Sequence, residues 1–336
     1  MDALSDRCGR QDELLRSKGF SRVVALIQPK DGPFRDSLAH AIAADGNVRC
    51  MAAVTTNLVA EAAARHKTTH TVTAALGRTL TGTLLLAAGV KELDRLTVQI
   101  DCNGPIGGIT AEANGRGQVR GYVRNPRADA PLNAQGKFDV RAIVGEGTLY
   151  VTYESGFEIG LYREPYRGSV PLISGEIAED FAYYLSKSEQ IPSAVMLGVL
   201  VRARANGDHF IEAAGGIMIQ IMPGADEQTV RALEESVKRT PQTTTLIRRG
   251  ARPADLLQAA LGDLRFELLE EREVEFACTC SHERALALIS AMSLAEIRSM
   301  LEEDRGAVMT CHFCNTTYRV QERELAEILQ RAEKEG

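Results

Sequence analysis

The sequence predicts an α+β fold in which antiparallel β-sheets with packed helices form a main domain, followed by a helical linker and a small cysteine-bearing C-terminal module. Three observations predict it. The middle of the chain alternates apolar and polar residues between Gly and Asn turn signals, as a β-meander does. On either side, apolar residues recur at helical spacing, and the last quarter gathers four of the seven cysteines as CxC and CxxC. At 336 residues and 44% hydrophobic content the chain can bury a substantial core, which excludes disorder throughout. A formal net charge of -6 exerts no overall pull toward nucleic acid or anionic lipid, so neither is expected as a partner.

Residues 1–35 read as an N-terminal extension, loose or separate, with turn formers in "QPKDGP". "RVVALIQPKDG" is too short for a secretory signal, and Asp2, Asp6, Asp12 and Glu13 precede it, so a cytoplasmic location is expected. From Asp36, "DSLAHAIAADG" predicts a helix with a polar start and a Gly stop, and "NVRCMAAVTT" a strand. "TNLVAEAAARH" and "HTVTAALGRTLTGTLLLAAGV" predict two helices. The second is the nearest approach to a membrane span, but Arg78 and several threonines interrupt it, so a buried helix is expected.

The stretch "DRLTVQIDCNGPIGGITAEANGRGQVRGYVRNP" reads as the meander, with "NGRG" a hairpin turn. Gly104, Gly107 and Gly108 do not match a phosphate-loop spacing, and no helix follows them. "GKFDVRAIVGEGTLYVTYESG" continues the strands, and "SGEIAEDFAYYLSKSEQIPSA" is a helix with Ile177, Phe181 and Tyr184 on one face. A hairpin follows from "AVMLGVLVRA" through "NGD" to "HFIEAAGGIMIQIMPG", and Pro223 and Gly224 close a main domain at residues 36–224. Residues 225–270 form a charged helical linker with a thin stripe of Val230, Leu233 and Val237, then "RPADLLQAALGDL". With little apolar surface to dock, it is either an ordinary connection or a segment of low local stability.

Residues 271–336 carry the chemistry. Cys278 and Cys280 form CxC, thirty residues follow at 281–310, and Cys311 and Cys314 form CxxC. Two close pairs separated by a folded insert deliver four tetrahedral ligands to one ion. An all-thiolate set with no place for water predicts a closed structural Zn²⁺ site, one per chain. In the insert, Ser293 and Glu296 form a capping box, with Leu294, Ile297 and Leu301 on one face before Gly306. "AVMT" and "NTTYRV" read as a small hairpin around the second pair, and "ERELAEILQRAEK" as a last helix carrying Leu325, Ile328 and Leu329. So thin a core implies that metal ligation supplies much of the folding energy. His282 and His312 lie near the thiols but are not needed as ligands; His40, His66, His70 and His209 have no partner spacing. Metal-bound thiolates also react with oxidants such as peroxide, and a disulfide within CxC is strained and readily reduced again. Four cysteines allow three pairings, of which proximity favours Cys278 with Cys280 and Cys311 with Cys314. The scattered Cys8, Cys50 and Cys102 read as ordinary reduced thiols.

"CTCSHER", the thirty-residue gap and "CHFCNTTYRV" resemble the zinc module of the redox-regulated 33 kDa heat-shock chaperonin family, the heat shock protein 33 holdases. "AADGNVRCMAAVTTNLV", "TAALGRTLTGTLLLAAGVK", "PLISGEIAEDFAYYLSKSEQIPSAVMLGVLV" and "AAGGIMIQIMPGA" are similar to its main-domain segments, in order, across about Asp36 to Val320. The resemblance implies a cytoplasmic, ATP-independent chaperone, not an enzyme, that holds unfolding client proteins under oxidative stress. It implies a reduced, zinc-bound, inactive form. Oxidation pairs neighbouring cysteines, releases zinc, unfolds the module and linker, and gives an active homodimer. On this resemblance Cys278, Cys280, Cys311 and Cys314 are the zinc ligands and the redox switch. Residues 1–35 with Cys8 fall outside it, and His282 stands where the family suggests an arginine, which would make thiol oxidation depend on pH.

Two other function classes compete. "CHFC" could serve a thiol oxidoreductase, although no strand-to-helix setting of the thioredoxin type surrounds it. A zinc-ribbon module for RNA or DNA is disfavoured by the acidic balance.

Overall fold

The structure is a computed structural model, and it describes residues 35–92, 94–155, 164–203 and 209–335. The N-terminal extension with Cys8 and the "NGD" turn lie outside the described residues. Two sheets, antiparallel except for one short parallel pair, carry the main body. In chain order the first elements are β1 (Ser37–Ala43), β2 (Val48–Val54), α1 (Thr56–His66), α2 (His70–Ala87), β3 (Arg95–Cys102), β4 (Ile109–Asn114) and β5 (Gln118–Val123). Then come α3 (Val140–Val144), β6 (Gly147–Glu154), β7 (Tyr166–Pro171), α4 (Ala178–Lys187), β8 (Ser193–Ala203) and β9 (His209–Ile221). Further on lie α5 (Glu227–Arg239), α6 (Thr243–Arg248), α7 (Pro253–Leu261), β10 (Phe266–Glu273) and β11 (Glu275–Phe276). Last are α8 (His282–Ser290), α9 (Leu294–Ser299), β12 (Gly306–Thr310), β13 (Thr317–Gln321) and α10 (Glu322–Glu335). The first sheet has the order β10-β1-β2-β9-β8, the second β11-β5-β4-β3-β6-β7, and β12 and β13 pair alone.

Helix α2 packs against strands of both sheets, which is why its sequence is apolar almost all round. Its threonines are tolerated there because Thr79, Thr81 and Thr83 each donate to the carbonyl four residues earlier. Gly82 lets the Phe181 ring press against it, since a Cβ would meet that ring at 2.8 Å. Phe181 and Tyr184 are buried on one face of α4, as the periodicity predicts, whereas Ile177, also buried, precedes the helix as its N-cap. The meander appears as β3, β4 and β5, with Asn114 to Gly117 turning the second hairpin.

Four expectations are corrected. "DSLAHAIAADG" is not a helix: Ser37–Ala43 is a strand between β10 and β2. Both its faces are covered, with Leu38 in one core cluster and Ala39, Ala41 and Ala43 in another, so the period-2 signal vanishes. "GKFDVRAIVGEGTLYVTYESG" is not strand throughout, because Asp139 caps the short helix α3, accepting from the Ala142 amide at 2.9 Å, before β6 begins. The stretch 225–270 holds a third helix, α6, and ends inside β10, whose charged residues suit an edge strand. It also docks: Leu246, Ile247, Leu256, Leu257, Ala260 and Leu261 are buried against Ala39, Ala41, Cys50, Ala52, Ile217 and Ile219 of the first sheet. Gly198 and Gly215 permit this approach, since a Cβ would meet Thr243 Oγ1 at 2.7 Å and Ile247 Cδ1 at 2.5 Å respectively.

The C-terminal residues build a separate small core of Ile289, Ile297, Val320, Leu325, Ile328 and Leu329. The Ser293–Glu296 capping box is present, with Ser293 Oγ accepting from the Glu296 amide at 3.3 Å.

Candidate metal centre

The first thiol pair follows the short strand β11, which adds to β5 in parallel, and the Ala277 amide donates to the Val119 carbonyl. This fixes Cys278 at the edge of the second sheet. The second pair sits in the loop of the β12–β13 hairpin, closed by the Cys311 amide on the Thr316 carbonyl and the Asn315 amide on the Cys311 carbonyl. Asn315 adopts a left-handed conformation (φ 59), which asparagine accepts more readily than most residues.

These two loops bring Cys278, Cys280, Cys311 and Cys314 together, all four Sγ atoms lying within 4.8 Å of one another. Cys278 and Cys311 are 3.7 Å apart and Cys280 and Cys314 3.3 Å. Four thiolates bonded to a tetrahedral Zn²⁺ at about 2.3 Å would lie about 3.8 Å apart, so the donor set and spacing fit such an ion. Neither His282 nor His312 belongs to the group. His282 Nε2 lies 2.7 Å from Glu324 Oε1 at the start of α10, and the exposed His312 leans toward the Tyr122 ring.

The environment separates the thiols. Burial pushes the Cys280 thiol up to about 12, against the Tyr318 hydroxyl, which donates to its sulfur at 3.1 Å. Burial also raises Cys311. Burial acts the same way on Cys314, but its hydrogen bonds with the Thr316 hydroxyl and backbone and with the neighbouring thiols outweigh it and bring this thiol down to about 7. One thiol is thus poised to ionise near neutrality while its neighbour resists, and a divalent cation among them would favour the thiolate form of all. Cys50 lies under the docked linker with its thiol pushed up to about 12 by burial, and Cys102 is half-buried elsewhere.

The centre also touches the main body, which sequence reasoning missed. Arg120 Nη1 lies 3.5 Å from Cys278 Sγ and donates to Thr279 Oγ1 at 3.0 Å, and its guanidinium covers the Phe313 ring at 4.2 Å. The Tyr122 ring meets Phe313 edge-on at 5.3 Å. From α1, His66 contacts the Phe313 carbonyl and Asn315 Nδ2 donates to the Arg65 carbonyl. No spacing in the sequence marks these residues, because they join the centre only through strand β5 and the end of α1.

The Hsp33 protein family model matches residues 36–321. The chain is 45% identical over 297 residues to a 33 kDa chaperonin of Staphylococcus carnosus, covering 88% of this chain and 98% of that protein. It is 44% identical over 296 residues to the 33 kDa chaperonin of Staphylococcus aureus, with the same coverage. Its fold is similar to the crystal structure of a 33 kDa chaperonin (heat shock protein 33 homolog) from Thermotoga maritima, with TM-score 0.81 and 34% identity over 90% of this chain and 100% of that one. With the family model spanning the main body and the thiol centre alike, the chain belongs to the Hsp33 family of heat-shock chaperones.

Proposed function

We propose that this chain is a redox-switched, ATP-independent holdase that acts in the cytoplasm and is not an enzyme. Reduced, it holds one Zn²⁺ on Cys278, Cys280, Cys311 and Cys314 and is inactive. Each peroxide molecule takes two electrons from a pair of thiolates, forming one S–S bond and, with two protons, two waters. Two such steps pair Cys278 with Cys280 and Cys311 with Cys314 and release the ion. The module then loses the metal that supplements its small core, its loops leave β5 and α1, and the linker lifts from the first sheet. Unfolding client proteins bind the uncovered apolar surface, and the active form is a homodimer.

What carries this reading is that the same two loops that gather the thiols also fasten the module to the main body. Strand β10 then connects the last docked helix to the first thiol pair, so disturbance at the centre reaches the linker through the chain itself. Beneath the linker lies a contiguous face of alanines, valines and isoleucines, apolar surface that a client segment could cover in the linker's place.

The lowered Cys314 thiol favours one other reading, a thiol oxidoreductase using Cys311 and Cys314. Against it, this CxxC sits in the loop of the β12–β13 hairpin and does not itself open a helix, the setting in which a thioredoxin-type pair is activated.

The deciding experiment treats the protein with peroxide at elevated temperature, follows zinc with a chromogenic chelator, and tests the same samples for suppression of a client's thermal aggregation. Release of about one equivalent of zinc, with holding activity appearing alongside it and both reversed by a thiol reductant, is expected. Zinc release without holding activity would make the centre a structural clasp only. Insulin reduction by the zinc-loaded protein would favour the oxidoreductase.

A further inference from the structure

Among the side chains of the main body that meet the thiol centre, one touches both halves of it. Arg120 reaches the CxC through Cys278 Sγ at 3.5 Å and Thr279 Oγ1 at 3.0 Å, and the CxxC through the face of Phe313 at 4.2 Å. It stands on β5, in the sheet that β11 extends toward Cys278. Its guanidinium is anchored from behind by Glu112, whose Oε1 accepts from Nε at 3.1 Å and Nη2 at 2.8 Å. Both side chains are largely buried, 13% and 14% exposed. Glu112 is shared, because the same Oε1 lies 3.2 Å from Arg95 Nε. One carboxylate divided between two guanidinium groups leaves Arg120 with positive charge directed at the thiols.

We propose that Arg120 is a charge-sensing latch that couples the oxidation state of the thiol centre to docking of the module; this rests on the redox-switch reading above. Four thiolates around one Zn²⁺ carry a net double negative charge. Two disulfides carry none: four thiolates give up four electrons to two peroxide molecules, which with four protons become four waters, and the ion leaves. The reduced centre therefore attracts Arg120 and the oxidised centre does not. A largely buried cation that loses the thiolates and keeps only a carboxylate shared with Arg95 is undercompensated, so the contact changes from holding to releasing. The planar guanidinium gives the latch its second grip, since it lies flat on the Phe313 ring while donating sideways.

The test uses the full chain, reduced and zinc-loaded, as wild type, Arg120→Gln and Arg120→Lys. Three quantities are read: bound zinc, hydrogen exchange across 118–123 and the loop 311–316 against that of the paired strands 306–310 and 317–321, and the thiol–disulfide equilibrium in glutathione buffers. Arg120→Gln is expected to keep its zinc and hairpin protection while interface amides exchange roughly tenfold faster. Its equilibrium shifts toward disulfide in more reducing buffers, because the charge that favoured the thiolates is gone. Arg120→Lys restores most of that equilibrium but not the protection around Phe313. An unchanged equilibrium in Arg120→Gln, or Lys behaving as Gln does, overturns the latch. Should Arg120→Gln fail to fold, Phe313→Leu removes only the ring, and unchanged exchange at 118–123 in that variant is equally fatal. A wild type that binds no zinc ends the switch reading itself; a wild type that binds and releases it, with Arg120→Gln identical, ends the latch alone.

Discussion

Nε2 of His66 lies 3.0 Å from the carbonyl oxygen of Phe313, so the last turn of α1 holds the middle of the CxxC loop to the main body. A hydrogen bond at such a half-buried site contributes about 1 kcal/mol net, roughly a fivefold effect. His66→Ala should therefore release zinc several-fold faster under the same peroxide, with zinc content before oxidation unchanged. An unchanged release rate would mean that this contact does not hold the module.

Each thiol of the centre should be needed for the metal. Changing Cys278, Cys280, Cys311 or Cys314 singly to Ser should remove most bound zinc and abolish hydrogen-exchange protection in the β12–β13 hairpin, because a core of six buried residues cannot stand without the metal. Cys50→Ser and Cys102→Ser should retain one zinc and switch normally, since neither sulfur belongs to the group. Elemental analysis of the purified variants checks both halves.

Leu257 is fully buried between α7 and the first sheet, and truncating such a side chain costs about 2 to 5 kcal/mol. Leu257→Ala should loosen the linker and give holding activity, read as suppressed client aggregation, in the reduced, zinc-loaded protein. Gly198→Val should act likewise from the opposite side, because its side chain would enter the space taken by Thr243 and Thr244. Full inactivity of both reduced variants would show that linker docking is not what masks the client surface.

Asp36 caps α1, accepting from the Asn57 and Leu58 amides, and burial nevertheless raises its carboxyl to about 6. The folded state therefore holds this proton more tightly than the unfolded chain. Between the unfolded value and about 6, stability from this group falls as pH rises, and above about 6 the cost of the buried charge is fully present. Lowering the pH from 7 to 5 should gain about 1 kcal/mol from Asp36 alone. Urea midpoints at the two pH values should show that gain in wild type relative to Asp36→Asn, in which the group cannot titrate; equal pH dependence in both would refute it.

The thiol centre was legible because metal chemistry imposes it locally, through CxC, CxxC and a foldable insert. The hairpin around Cys311 and Cys314 and the capping box at Ser293 were legible for the same local reason. What the sequence hid was tertiary. In β1, alanines sit where helices press on the sheet, so small residues with high helix propensity form a strand. In β10, acidic residues that read as linker belong to an exposed edge. The docking of 246–261 was hidden because its leucines lie in two short helices and their partners, Ala39 to Ile219, are far away in sequence. Arg120, Tyr122 and His66 reach the centre by register and helix position, which leave no local mark.

Losing the metal at the thiol centre should uncover the first sheet beneath 227–261. Hydrogen exchange, compared between the reduced zinc-bound protein and the same protein after peroxide and zinc release, tests it most directly. Amides of 227–261 are expected to lose protection together with those of the β12–β13 hairpin, while β2 and β9 beneath the linker keep theirs. Loss of protection confined to the zinc module, with α6 and α7 unchanged, would contradict it.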